Sequence, residues 1–132
     1  MADSRRETLV PVHFDDEALR HDIGHLPQTA GLALRALRRD IGKAGGLPLS
    51  HLKGCQAEGR DGTNLAGCVK TYAPWPDGRY GLVLIPVEHT TRPWALRAIA
   101  FGVRHQPRDS NAPTVYRIAH GRLHDRPDSD TR

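Results

Sequence analysis

Arg79-Tyr80-Gly81-Leu82-Val83-Leu84-Ile85-Pro86-Val87 contains the longest apolar run in the chain and sets its architecture. It is nearly continuous in apolar residues, as expected of a strand covered on both faces. A second run of this kind, Trp94–Phe101, carries Leu96, Ala98, Ile99 and Ala100. Cys68–Tyr72 precedes both as a shorter strand, and Asp77-Gly78 is a turn signal between the first two. Residues 88–93 connect the next pair, Pro93 breaks the strand, and Gly102 is expected to end the third. The order is a meander of antiparallel strands.

On the N-terminal side, Leu9–Phe14 reads as a short strand, at an edge because of Pro11. Asp15 is the N-cap expected for a helix with Asp16 and Glu17 in its first turn. Leu19, Ile23 and Leu26 fall on one face at i, i+4 and i+7, and Pro27 ends the segment. Thr29 is the expected N-cap of a second helix bearing Ala33, Leu34, Leu37 and Ile41, stopped by Gly45-Gly46. Two helices so closely joined favour a hairpin. From Leu47 to Leu65 the glycines at 54, 59 and 62 predict turns without a regular element.

Toward the C-terminus, residues 105–113 read as a polar loop with two prolines. Ala112–Leu123 follows as a closing helix with Val115, Ile118, Ala119 and Leu123 on one face. Residues 1–7 and 125–132 are expected to be flexible. The expected fold is α+β: an N-terminal strand and helical hairpin packed on a small curved, mainly antiparallel sheet, with a short C-terminal helix. Residues 8–124 form one domain, and 132 residues suffice to bury roughly two-thirds of the unfolded surface.

Composition narrows the function classes. No apolar run approaches the roughly 20 residues that span a bilayer, so no membrane partner is expected. Met1–Val10 lacks the apolar stretch of a secretory signal, so the expected location is the cytoplasm, with Cys55 and Cys68 reduced. Their Cys-x12-Cys spacing fits neither a zinc knuckle nor a Cys-x-x-Cys redox motif. His21/His25 and His120/His124 each have i, i+4 spacing. The first pair lacks the intervening Glu of zinc proteases and has a helix glycine, so no metal site or cofactor is expected. The net charge of +4 is uneven: residues 1–50 are neutral, 51–124 carry +5, and 125–132 carry −1. A basic second half suits an acidic partner, either nucleic acid or protein.

Three phrases carry a family resemblance. Phe14-Asp15-Asp16-Glu17-Ala18-Leu19 resembles the strand-to-helix entry of RelE/ParE-type toxins of bacterial toxin–antitoxin modules. Gly78-Arg79-Tyr80-Gly81-Leu82-Val83-Leu84 resembles their central strand. Gly102-Val103-Arg104, a loop, and Val115-Tyr116-Arg117-Ile118-Ala119-His120-Gly121-Arg122-Leu123 resemble their closing segment, the most specific of the three. The similarity covers roughly residues 8–124.

In the ribonuclease branch the resemblance implies metal-independent cleavage of mRNA on the ribosome, and silencing by an acidic cognate antitoxin. The RNA 2′-hydroxyl attacks the adjacent phosphorus and expels the 5′-oxygen. The protein must supply cationic donors around the phosphate and groups that move protons. Lys70 matches a functional lysine, Arg104 the arginine after the third strand, and Tyr116 the tyrosine of the closing helix. Tyr72 stands where a second lysine is common, and Gly81 where the central arginine is expected. Arg79, two residues earlier, shares a strand face with position 81 and is the candidate substitute. His105 is a further proton-transfer candidate. Two alternatives stay open: a ParE-like toxin that inhibits DNA gyrase without cleaving RNA, and an inactive relative that only binds a partner.

Overall fold

The computed structural model describes residues 8–56, 59, 62–87, 95–106 and 112–124. The expectations for 1–7, 88–94, 107–111 and 125–132 lie outside them.

In chain order the elements are β1 (Leu9–Val10), β2 (Val12–Phe14), α1 (Asp16–Ile23), α2 (Gln28–Ala44), β3 (Leu47–Pro48), a 3-10 turn (Leu49–His51), β4 (Lys53–Gly54), β5 (Val69–Ala73), β6 (Tyr80–Val87), β7 (Ala95–Val103) and α3 (Val115–His124). A five-stranded sheet has the order β2-β7-β6-β5-β4, and β1 pairs separately with β3. β5, β6 and β7 form the expected antiparallel meander, whereas β2 runs parallel to β7 at the sheet edge. The architecture is α+β with a mixed sheet.

Three expectations are corrected. The segment 47–65 is not free of regular structure: β3 pairs with β1, and β4 pairs with β5. These strands are two residues long, so only their distant partners define them. Thr29 is not the N-cap of α2. Pro27 holds that position without a side-chain cap, and the Thr29 hydroxyl instead meets the Tyr80 phenol oxygen at 2.8 Å. Gly102 does not end the third strand, because β7 pairs through Val103, opposite Tyr80.

The sheet separates two apolar clusters. Leu19, Ala30 and Leu34 of α1 and α2 pack with Leu82, Leu84, Leu96, Ala98 and Phe101 on one face. Val115 and Ala119 of α3 pack with Val83, Ile99 and Ala100 on the other. Val83 pairs with Ala100 and Leu84 with Ala98, leaving Ile99 as an extra residue. This bulge shifts the alternation so that Ile99 and Ala100 both join the α3 cluster. Under α3 the sheet surface is made of Gly81 and Gly102, paired across β6 and β7. A Cβ on Gly81 would meet Val115 Cγ1 at a tight 3.3 Å, whereas one on Gly102 would meet Val115 at an ordinary 3.5 Å, so Gly81 is the close point beneath the helix.

The β5–β6 turn needs glycine at 78. A Cβ there would collide with the backbone of Ala73 and Pro74. The Gly78 amide closes the turn by donating to the Pro74 carbonyl at 2.6 Å.

Asp15 caps α1 as expected, accepting from the Ala18 amide at 3.1 Å and from Arg97 Nη2 at 3.3 Å. The Ala18 hydrogen bond, joined by Arg97, holds its carboxyl below the ordinary range against the opposing effect of burial. A depressed folded-state pKa stabilises the protein above the unfolded value, and the contribution is lost as pH falls through the folded value. Asp15→Ala is therefore expected to cost about 1 kcal/mol at neutral pH. In urea titrations, the gap from the parent should narrow on acidification below the usual carboxylate range.

Candidate functional site

The meander places Lys70 and Tyr72 of β5 beside Gly81 of β6 on the α3 face of the sheet. Lys70 is half-buried, and its Nζ lies 4.8 Å from the centre of the Tyr116 ring on α3. The same ammonium is 5.9 Å from the centre of the Tyr72 ring. Arg104, directly after β7, stacks its guanidinium on that ring with Cζ 3.5 Å from the centroid. Tyr72 thus joins Lys70 and Arg104, and Lys70 joins Tyr116.

Arg104 owes its position to both sequence departures noted above. A Cβ on residue 81 would meet Arg104 Cγ and Val115 Cγ1, each at 3.3 Å. A larger residue at 81 would displace Arg104, so the missing arginine and the present one compete for the same space. Tyr72 supplies the flat surface on which the guanidinium rests. Arg104 Nη1 donates to the Gly78 carbonyl at 2.8 Å, and its amide donates to the Arg79 carbonyl at 3.1 Å. Its Nε is buried and has no hydrogen-bond partner. Contacts within the fold therefore leave part of its donor capacity unused.

Arg79 is exposed beside Arg104, and its side chain makes no hydrogen bond or ion pair among the described residues. His105 is exposed, with no ring contact or hydrogen bond to the other four candidates. The structure therefore brings Lys70, Arg104 and Tyr116 together, sets Arg79 at the margin, and leaves His105 apart. Among the described residues the ion pairs are Arg38–Asp16, Arg97–Asp15 and Arg122–Asp22, so none of the site cations is neutralised by a carboxylate.

Three neighbours of the site were not singled out from the sequence as working residues. Lys53 of β4 pairs directly opposite Lys70. Its Nζ is 5.3 Å from the centre of the Tyr72 ring and 6.0 Å from that of Trp75. Trp75 stacks on Tyr72 at 5.7 Å and on His51 at 4.6 Å. Basic residues interleaved with aromatic ones in a single segment would have been a readable signal. Here Lys70, Tyr72 and Trp75 share one short stretch, but His51 and Lys53 come from another and meet it only when β4 pairs with β5.

The cysteines and histidines have other uses. Cys55 and Cys68 are unbridged, and the Cys55 amide donates to the Cys68 carbonyl at 3.0 Å. Burial, reinforced by the neighbouring Cys68, pushes the Cys55 thiol up to about 11, and Lys70 opposes this only in part. A thiol so protonated is a poor nucleophile at neutral pH. His120 Nδ1 accepts from the Asn64 amide at 3.0 Å, and His124 Nε2 donates to the Asn64 carbonyl at 2.9 Å, fastening the preceding loop to α3. His25 Nδ1 donates to the His21 carbonyl at 3.0 Å.

The site can bind an anion. Two lysines and an arginine surround an aromatic floor, with a phenol at one side, and this combination suits a phosphodiester with its attached bases better than a small carboxylate. No family model, curated protein or solved structure matches the chain.

Proposed function

We propose that the chain is a RelE-like toxin, a metal-independent endoribonuclease that cleaves mRNA on the ribosome and is held silent by an acidic antitoxin. The observation that carries this reading is the placing of Lys70 and Arg104 on the Tyr72 ring, with Tyr116 against Lys70 and no carboxylate paired to either cation among the described residues. The order of strand, two helices, three meander strands and closing helix is compatible with it.

In the proposed reaction the 2′-hydroxyl oxygen forms a bond to phosphorus as the bond to the 5′-oxygen breaks. A 2′,3′-cyclic phosphate and a 5′-hydroxyl result. Negative charge grows on the phosphate oxygens, and fixed cationic donors stabilise it. Lys70 acts as a point charge, Arg104 presents its remaining N–H donors, and exposed Arg79 reaches in from the margin. Tyr116 transfers a proton at the reacting oxygens, and His105 is the reserve for that role. RNA carries its own nucleophile, so neither cysteine is needed.

The alternative, a ParE-like inhibitor of DNA gyrase, draws on Tyr72 and Gly81. Tyr72 removes one cation from the expected set, and Arg104 Nη1 is committed to Gly78. Pulse labelling after induction in a bacterial host separates the two readings. Protein synthesis is expected to fall before DNA synthesis, and co-expression of the antitoxin to restore both. A fall in DNA synthesis first, with gyrase–DNA complexes accumulating, favours the alternative.

A further inference from the structure

We propose a second nucleotide subsite next to the candidate cleavage site, in which Lys53 holds a backbone phosphate of single-stranded RNA and His51 stacks against the adjoining base. This rests on the ribonuclease reading, and it extends the site beyond the residues that reading requires.

The first observation is electrostatic. Lys53 and Lys70 lie directly opposite each other across β4 and β5. Like charges in that position repel, and opposing carboxylates would ordinarily offset the cost. Among the described residues neither lysine has such a partner. Both ammonium groups lie over the Tyr72 ring, at 5.3 and 5.9 Å from its centre. A chain of phosphates along this edge would relieve the repulsion, with one charge over Lys70 and the next over Lys53.

The second observation is the shape of the aromatic row. Arg104, Tyr72, Trp75 and His51 form a continuous stack, with Trp75 and His51 inclined by only 11°. Arg104 anchors one end at the cleavage site, and partly exposed His51 forms the other. The inner members already face one another, so the row can be extended only at its ends. At the His51 end it borders a groove of about 740 Å³, whose wall includes His51, Pro74, Trp75, Leu47 and Leu37. A groove of that size with an aromatic edge accommodates a nucleobase, and stacking tolerates any base because each has a π face. An oligonucleotide strand supplies both phosphates and bases, and so meets both observations at once.

The test uses the full chain and a short 2′-O-methyl RNA oligonucleotide, which lacks the nucleophile and stays intact. Binding is measured by fluorescence anisotropy over a range of salt, with circular dichroism to verify folding. Lys53→Ala is expected to weaken binding several-fold and to lower the slope of log affinity against log salt by about 0.7, the loss of one single-strand phosphate contact. His51→Ala is expected to weaken binding about tenfold with the slope unchanged. An abasic spacer at the flanking position should reproduce the His51→Ala loss in the parent and add nothing in the variant. Parent-like affinity and slope in both variants, or no binding by the parent at low salt, overturns the subsite. Cleavage of ribosome-bound message by the parent, assayed separately, decides the ribonuclease reading whatever the subsite does.

Discussion

Asp22→Ala is expected to lower stability by about 3 kcal/mol, the cost of breaking a buried charge pair from one side. For a domain of this size that is a fall in Tm of roughly 10 °C. Asp22 lies in α1 and its side chain is only 2% exposed. Its Oδ1 accepts from Arg122 Nη2 at 2.6 Å, and its Oδ2 accepts from Arg122 Nη1 at 2.8 Å and from the Phe101 amide at 2.9 Å. Arg122 Nη1 also donates to the Ile99 carbonyl at 2.7 Å. The reason for this cluster lies in the sheet. β2 pairs with β7 only as far as Ala98, so Ile99 and Phe101 present backbone groups at an uncovered edge. The Asp22–Arg122 pair satisfies them and ties α1 to α3 around that edge. Thermal melts of Asp22→Ala and Arg122→Ala check this. A loss below about 0.5 kcal/mol in both, typical of a surface pair, would show that the clasp contributes little.

Arg104→Ala is expected to reduce cleavage roughly a hundred- to a thousand-fold, the usual consequence of losing one fixed donor to a developing oxyanion. Read from the sequence, Arg104 is an arginine held by the sheet without being part of the core. In the structure it also serves the fold, through its stacking on Tyr72 and its hydrogen bond to Gly78. The same substitution should therefore cost about 1 kcal/mol of stability as well. Arg104→Lys separates the two roles. It retains a charge but loses the planar surface and the forked donors, so catalysis should stay low. Tyr72→Leu tests the floor beneath the guanidinium: a fall in kcat with KM little changed is expected if the ring positions Arg104. Cleavage at the parental rate by folded Arg104→Ala protein would remove this residue from the chemistry.

Local pattern made the central part of the fold legible. The apolar runs of β6 and β7 specify strands wherever they are placed, and Asp15 caps α1 through a contact three residues away. The short strands were not legible, because β3 and β4 have no periodicity of their own and exist through their pairing with β1 and β5. Thr29 misled for a similar reason: its hydroxyl is used by Tyr80, a residue far along the chain, and not by the adjacent helix end. At the site, Lys70, Arg104 and Tyr116 were named through the resemblance, and the structure gathers them. Arg122 lay within the quoted closing phrase, yet its role depends on an unpaired strand edge that only the topology reveals. Lys53 and His51 join the site through β4, the strand the sequence reading did not contain, and Trp75 joins it from just beyond β5.

The chemistry of the RNA ends reports on the cleavage mechanism itself. Purified protein is added to ribosomes paused on a defined message, in buffer that keeps the magnesium the ribosome itself requires, and the products are mapped by primer extension and end-group analysis. Metal-independent 2′-hydroxyl attack predicts cleavage that leaves a 2′,3′-cyclic phosphate and a 5′-hydroxyl. It also predicts that a single 2′-deoxy substitution at the cut position abolishes the reaction. An intact message, or fragments bearing 5′-phosphate and 3′-hydroxyl ends that persist after the 2′-deoxy substitution, would contradict it.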